Sequence, residues 1–255
     1  GARNQYIRYD NQYYRLNAST DVGFTTTGTN DASFQNDVTH FVLMDGDALR
    51  QNLAALSGLS LIGGLGYVTP QMYGAIPGSS TVDNTVAMQS AINAASGKVL
   101  DLRGGPWRVS ATLDFTSLRG IITDYTGRIL VNPVGFSALH SRKFAVTFGN
   151  PYTPFGSNRC NHFTCIGYLL VESDNRDAEL SGVYIKGALM SFGSIRATRF
   201  NGHGLRADAW WDSSVASISY ELCGNASLYA LDLNPYGDTS NCLFIGRIQV
   251  EQAYQ

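Results

Sequence analysis

Charge is scarce in this chain. Only 15 % of its 255 residues are Asp, Glu, Lys or Arg, and the two signs nearly cancel at a formal net charge of −2. So balanced a surface exerts no general pull on nucleic acid or on an anionic membrane. Long apolar runs are missing as well. The most apolar stretch, LAALSGLSLIGGLGYV from Leu53 to Val68, is 16 residues long and broken by glycines. That is short of the ~20 apolar residues that cross a bilayer, so no membrane insertion is expected. The polar, aromatic start does not read as a secretory leader. No G-x-S-x-G, P-loop or H-E-x-x-H is present, and His40, His140, His162 and His203 stand at no nucleophile spacing, His203 reading as a turn residue.

Cysteine is sparse too, at four. Cys160 and Cys165 flank His162 in CNHFTC, and Cys223 and Cys242 stand apart. Paired zinc ligands need C-x2-C or H-x3-H spacing, which this is not, so buried free thiols are the reading and no metal or cofactor is expected.

What the chain has in quantity is glycine (27) and tyrosine (14), a composition unlike a helical bundle or a disordered chain. The pattern divides into three zones. In residues 1–46, QYIRYDNQYYRLN alternates about a turn at Asp10-Asn11 and reads as a hairpin, FTTTGTND carries a Gly turn, and HFVLMDGD is a short strand. This predicts a β module of three or four strands, marginal alone. Residues 47–66 read as a helix capped by Asp47, with Leu49, Leu53 and Leu56 at helical spacing, and then a Gly-rich connector. From 67 to 255 short strands dominate, beginning with Val99, Leu100 and Leu102, turning at Gly104-Gly105-Pro106, and resuming at Trp107, Val109 and Leu113. The sequence opens without an initiating Met and stops at IQVEQAYQ inside an alternating pattern, so a fragment truncated at its C-terminus is expected.

The third zone repeats weakly. GSIRAT from Gly193 and ASISYE from Ala216 lie 23 residues apart, as do Leu205 and Leu228, and GRIQVE from Gly246 comes after a longer interval containing NPYGDTSN. A period in the low twenties is what one coil of a parallel β-helix requires, each coil burying its inward residues against the next. A β-sandwich with chance self-similarity is the alternative. One helix interrupts the strands. Over about 83–95, Ala87, Ala91 and Ala95 share a face with Met88 and Ile92 beside them, and Asp83 or Asn84 caps the start. A stack of coils has an open end that needs a lid, and small alanines suit a close-fitting one.

YGAIPGSSTVDNTVAMQSAINAA, followed by GKVLDLRGGPWRVSATLDF, resembles the opening of the pectate-lyase-like β-helix proteins. Tyr73, Gly74, Ala75, Asp83, Thr85, Ala91, Ile92, Leu102, Gly105 and Trp107 carry the match. Asn84 replaces a second acidic residue, and the Pro-Gly turn is reversed to Gly105-Pro106. Upstream, YRLNASTDVGFTTTGTNDAS and DALRQNLA with its following LIG are similar to the anchor and connector segments of tailed-bacteriophage tailspikes. The two matches span most of residues 6–115. The resemblance implies a mainly β chain: an N-terminal virion-anchor module, a helical connector, and the start of a right-handed parallel β-helix with an N-terminal capping helix. It further implies a homotrimer assembled in the host cytoplasm as a virion component. Its partners would be other tail or baseplate proteins and bacterial capsule or O-antigen, which many such spikes depolymerise. A non-enzymatic adhesin, a structural or branching tail component and, less readily, a free-standing polysaccharide lyase or hydrolase are the alternatives.

Glycoside hydrolysis needs two suitably spaced carboxyls, and a lyase needs a base at a uronate carbon. The candidates are Glu172, Asp174, Asp177, Glu179, Asp208, Asp212, Glu221, Asp232 and Asp238. ESDNRDAE, which holds the first four, reads as a solvated insertion. RADAWWDSS is more informative. Trp210 and Trp211 are adjacent, so in a strand they face opposite sides, and an outward indole is a platform for a sugar ring. Asp208 and Asp212 flank them as hydroxyl acceptors, and Glu221 falls one coil on from Thr198. The expected site is therefore Trp210 and Trp211 for glycan binding, with Asp208, Asp212 and Glu221 as catalytic candidates. The competing reading has both tryptophans sealing core or trimer contacts.

Overall fold

The computed structural model describes residues 6–17, 19–20, 23–44, 53, 66–151, 158–176, 179–233 and 240–252. The chain divides into two compact units, Gly1–Gly58 and Leu59–Gln255. The expected connector helix from Asp47 lies outside the described residues.

The smaller unit is a three-stranded antiparallel sheet, β1 (Tyr6–Tyr9), β2 (Gln12–Leu16) and β3 (Phe41–Leu43) in that spatial order. The turn at Asp10-Asn11 takes φ of 46° and 60°, the left-handed pair that matches strand twist in a two-residue hairpin. A helix, α1 (Asp31–Asp37), is an addition to the elements expected from the sequence. Its one large apolar residue, Phe34, leaves no periodicity to read. The cap is visible in the structure: the Asn30 side chain accepts from the Ser33 N–H at 2.9 Å. Phe34 stacks on Tyr9 at 3.9 Å and meets Tyr14 edge-on at 4.9 Å, tying the helix to the sheet.

The larger unit is built from parallel strands. β4 (Tyr67–Val68), β5 (Val99–Asp101), β6 (Trp107–Val109), β7 (Leu113–Asp114), β8 (Gly120–Ile122) and β9 (Ile129–Val131) come first. β10 (Phe144–Phe148), β11 (Cys160–Asn161), β12 (Thr164–Ser173), β13 (Ser181–Ala188) and β14 (Ser191–Thr198) come next. β15 (Leu205–Trp211), β16 (Ser213–Glu221), β17 (Leu231–Asp232) and β18 (Leu243–Glu251) complete the order. From β12 to β18 consecutive strands alternate between two sheets. One runs β18-β16-β14-β12-β8-β5-β4, with β9 and β6 continuing from β12, and the other runs β17-β15-β13-β10-β7. Each strand thus hydrogen-bonds to the strand one turn of chain away, and the inward residues of both sheets share a single apolar core.

The expected repeat is present in the pairing. Ile195 stands opposite Ile218 and Ile218 opposite Ile248, so the GSIRAT, ASISYE and GRIQVE segments are in register. Ser194 and Ser217, 23 residues apart, share a hydrogen bond at 2.5 Å. The other proposed match needs correction, because Leu205 pairs with Leu231 and not with Leu228. Leu228 is held in a turn of its own, its N–H donating to the Asn225 side chain at 2.9 Å, so the next strand arrives three residues later.

The predicted helix is α2 (Thr85–Ala94). Met88, Ala91, Ile92 and Ala95 are buried in the common core, and the helix packs against β4 and β7, the terminal strands of the two sheets. Asn84 occupies the cap position, but its side chain is spent on the Ile76 backbone, accepting its N–H at 2.7 Å. Asp83 serves the helix instead, taking the Thr85 N–H at 2.9 Å and the Ser110 hydroxyl. Partial burial would raise its carboxyl, but these donors hold it below the usual aspartate range.

Cys160, Cys165 and Cys223 are buried and Cys242 is exposed, all four as free thiols. Burial pushes Cys160 and Cys165 up to about 12 and Cys223 to about 11. The thiolate is the reactive form. Native protein treated with a thiol reagent at pH 8 is therefore expected to label once, at Cys242, and four times after denaturation. Mass spectrometry of the labelled peptides checks this; rapid native labelling of Cys160 or Cys165 would contradict the packing.

Candidate functional site

Alternation along β12, β14, β16 and β18 sends every second side chain outward. Leu169, Val171, Ile195, Ala197 and Ile218 face the core. The intervening residues line up across the strands in rows: Tyr168, Ser194, Ser217 and Arg247; Leu170, Arg196, Ser219 and Gln249; Glu172, Thr198, Glu221 and Glu251. The outer face of this sheet therefore carries a polar band one strand spacing, about 4.8 Å, per residue.

Tyr125, beyond the end of β8, closes one side. Its ring stacks on Tyr168 with centroids 4.3 Å apart and an interplanar angle of 24°, leaving Tyr125 66 % exposed. The neighbouring Tyr168 hydroxyl raises the Tyr125 phenol above the ordinary tyrosine range, against a smaller pull from Arg196. Together these residues form a groove in two sections. One, of about 370 Å³, is lined by Tyr125, Arg128, Leu170, Glu172, Arg196 and Glu221 among others. The other, of about 210 Å³, runs over the serines to Arg247 and Gln249. Ion pairs fix the first section: Arg196 to Glu221 at 2.9 Å, Arg128 to Glu172 at 3.3 Å, and Arg199 to Glu172. Part of each carboxylate's acceptor capacity is thereby used and its direction set, leaving lone pairs for hydroxyl donors.

The residues singled out in the sequence are divided by this geometry. Glu221 lies in the groove, opposite Thr198 as expected. Trp210 and Trp211 do face opposite ways, but Trp210 is fully buried against Phe192 and offers no face to a sugar. Trp211 is partly exposed on the other sheet, with the Arg159 guanidinium 5.3 Å from its ring centroid. Asp208 is not a free acceptor. It is 4 % exposed, taking the Tyr184 hydroxyl at 3.0 Å and the Arg206 Nε at 2.8 Å. Arg206 also reaches Asp232 at 3.0 Å, so the outward row of β13, β15 and β17 is a self-satisfied ionic network. Burial, then the charge of Asp208, raises the Tyr184 phenol, and burial lowers Lys186. Asp212 is exposed in the tight turn before β16, at φ 44°. Strand order thus puts Glu221 on one sheet and the tryptophan pair on the other, so the five do not form one site.

Two contributors escape a reading of the sequence. Glu172 reads there as part of a solvated insertion, yet it is the last outward residue of β12, and the loop begins only past the strand's end. Its alternation with Leu170 and Tyr168 is the available signal. Tyr125 carries none, since nothing in its neighbourhood says that a loop residue stacks on a strand 43 positions on. Asp177 and Asp238 lie outside the described residues. Among the described residues no group of three His, Cys, Asp or Glu side chains could hold a metal ion, and no helix is long and apolar enough to cross a membrane.

A groove on the outer face of stacked parallel strands, walled by stacked tyrosines and floored by hydroxyls, defines a class of surface suited to extended polar polymers. Comparison with solved structures finds a likeness of fold. The chain is similar to the protein described as Geobacillus virus E2 ORF18, at a TM-score of 0.57 and 16 % identity over 96 % of this chain and 46 % of that one. A second match, to tailspike protein 3 of bacteriophage CBA120, has a TM-score of 0.39 at 15 % identity over 98 % of this chain and 48 % of that one, too low to argue from. The chain thus spans about half the length of the proteins it matches. No family model and no curated protein matches it.

Proposed function

We propose that this chain is part of a phage tail protein of the tailspike kind that binds bacterial surface polysaccharide along the tyrosine-walled groove. The observation that carries the reading is the outward band of Tyr125, Tyr168, Ser217, Ser219, Arg196 and Glu221 on one sheet face. Aromatic faces cover the apolar faces of sugar rings, while serines and arginine-oriented carboxylates exchange hydrogen bonds with ring hydroxyls. The fold likeness to a viral protein supports the setting.

On this reading the larger unit is a right-handed parallel β-helix. The alternation of strands between two parallel sheets fits it, and parallel crossovers take that hand almost without exception. Helix α2 is its cap, lying against the terminal strand of each sheet. The smaller unit is the virion anchor, residues 47–66 the connector, and the assembly a homotrimer, all assembled in the host cytoplasm into the virion. Depolymerisation is assigned to the longer protein.

The test is a panel of purified capsular and O-antigen polysaccharides presented to the chain, with reducing-end and unsaturated-product assays run on the binders. Saturable binding to a subset is the expected result. Release of reducing ends identifies a hydrolase, and unsaturated ends a lyase; binding without either leaves an adhesin. No affinity for any polysaccharide would overturn the reading in favour of a structural tail component.

A further inference from the structure

We propose that the groove section framed by Tyr125, Tyr168, Arg196 and Arg247 seats a carboxylate-bearing sugar, so that the polymer recognised is an acidic polysaccharide; this rests on the glycan-binding reading above. The section is lined by two phenols, two guanidiniums, Ser194, Ser217, Ser219 and Gln249, and no carboxylate lines it. Its neighbour holds Glu172 and Glu221, but those are taken up by Arg128, Arg199 and Arg196. The two sections are thus lined by Arg128, Arg196 and Arg247 against Glu172 and Glu221, Glu251 of the same row accepting from the Gln249 side chain, and Arg247 makes no ion pair among the described residues.

Register fixes where the surplus charge falls. Arg247, on β18, is opposite Ser217, while Arg196, on β14, is opposite Ser219, so the two lie two strands across and two residues along, about 12 Å between backbones. That interval takes one pyranose ring, with Ser217 and Ser219 beneath it and the Tyr125–Tyr168 stack at its side. A neutral sugar there would strip water from Arg247 without replacing its partner, which costs binding energy. A carboxylate on the ring supplies that partner, and the planar guanidinium fork matches its two oxygens. The Arg196–Glu221 pair holds Arg196 in place and keeps the carboxylate-bearing part of the groove separate from the sugar's own acid.

The test uses the same polysaccharide panel, each acidic member assayed intact and after chemical reduction of its carboxyls to alcohols. Arg247 is on an exposed strand, so Arg247→Gln leaves the core untouched; Arg119→Gln, outside the groove, is the control. Binding is expected to be confined to uronate- or other carboxylate-bearing members and to vanish on carboxyl reduction. It should weaken about 10-fold or more in Arg247→Gln but not in the control, and fall as salt rises from about 0.05 to about 0.5 M. Equal binding of reduced polymers, preference for neutral or phosphate-bearing members, or an unaffected Arg247→Gln would overturn the inference while leaving glycan binding intact. Failure to bind any polysaccharide would remove both.

Discussion

Trp210→Ala is expected to destabilise the larger unit by about 3–5 kcal/mol, the cost of emptying a large buried site, whereas Trp211→Ala should cost less than ~1 kcal/mol. The two residues are neighbours of identical chemistry, so only the direction each faces separates them. Trp210 is fully buried and meets Phe192 edge-on, with centroids 5.8 Å apart, between the two sheets. Its Nε1 has no hydrogen-bond partner among the described residues. Trp210→Phe, which keeps most of the ring and discards that unpaired N–H, should therefore lose only about 1–2 kcal/mol. Urea unfolding followed by far-UV circular dichroism measures all three. Similar costs for the two alanine variants would mean that β15 is not placed with one face inward.

Gly167→Ala should be nearly as damaging, at about 3 kcal/mol or more, while Gly74→Ala should cost about 1 kcal/mol. Both glycines have positive φ, 98° and 85°. They differ in what a Cβ would meet. At Gly74 nothing lies within 4 Å, but at Gly167 the Thr123 carbonyl oxygen would be 1.9 Å away. That oxygen belongs to the neighbouring turn of chain and cannot withdraw without parting the strands. Gly193 and Gly246 continue the column, their Cβ positions falling 2.5 Å and 2.6 Å from the carbonyls of Gly167 and Ala216. Thermal melts of the two variants separate backbone strain, common to both, from the closeness of stacked turns, present only at Gly167. Equal melting temperatures would argue against that stacking.

This column also explains how much of the fold could be read in the sequence. The pattern shared by GSIRAT, ASISYE and GRIQVE recurs because its leading Gly or Ala abuts the neighbouring turn, the Ile fills the core and the residues on either side of the Ile face out. Each requirement is local to one strand and is repeated by its neighbours, so it leaves a trace at a fixed offset. The helix over 85–94 was legible for a similar reason, since alanines on one face record a close approach. The 205–228 match failed because an Asn-built turn absorbs three residues without disturbing the pattern on either side. The site was less legible. Glu221 could be placed because it ends a repeating strand. The tyrosine stack and the arginine rows depend on which strands become neighbours, and no single segment records that. Asp208 misleads because an aspartate beside tryptophans looks the same whether solvent or Tyr184 and Arg206 surround it.

The account depends most on the outer face of the β12–β18 sheet being where polysaccharide lies. Titration calorimetry of the Tyr125→Ala/Tyr168→Ala double variant, against whichever panel polysaccharide binds the unaltered chain best, addresses this directly. Both side chains are on the surface, so far-UV spectrum and melting temperature should be unchanged. The predicted result is a dissociation constant raised about 100-fold, near 3 kcal/mol for losing two stacking faces. An unchanged constant in a correctly folded variant would place the polysaccharide elsewhere and contradict the account.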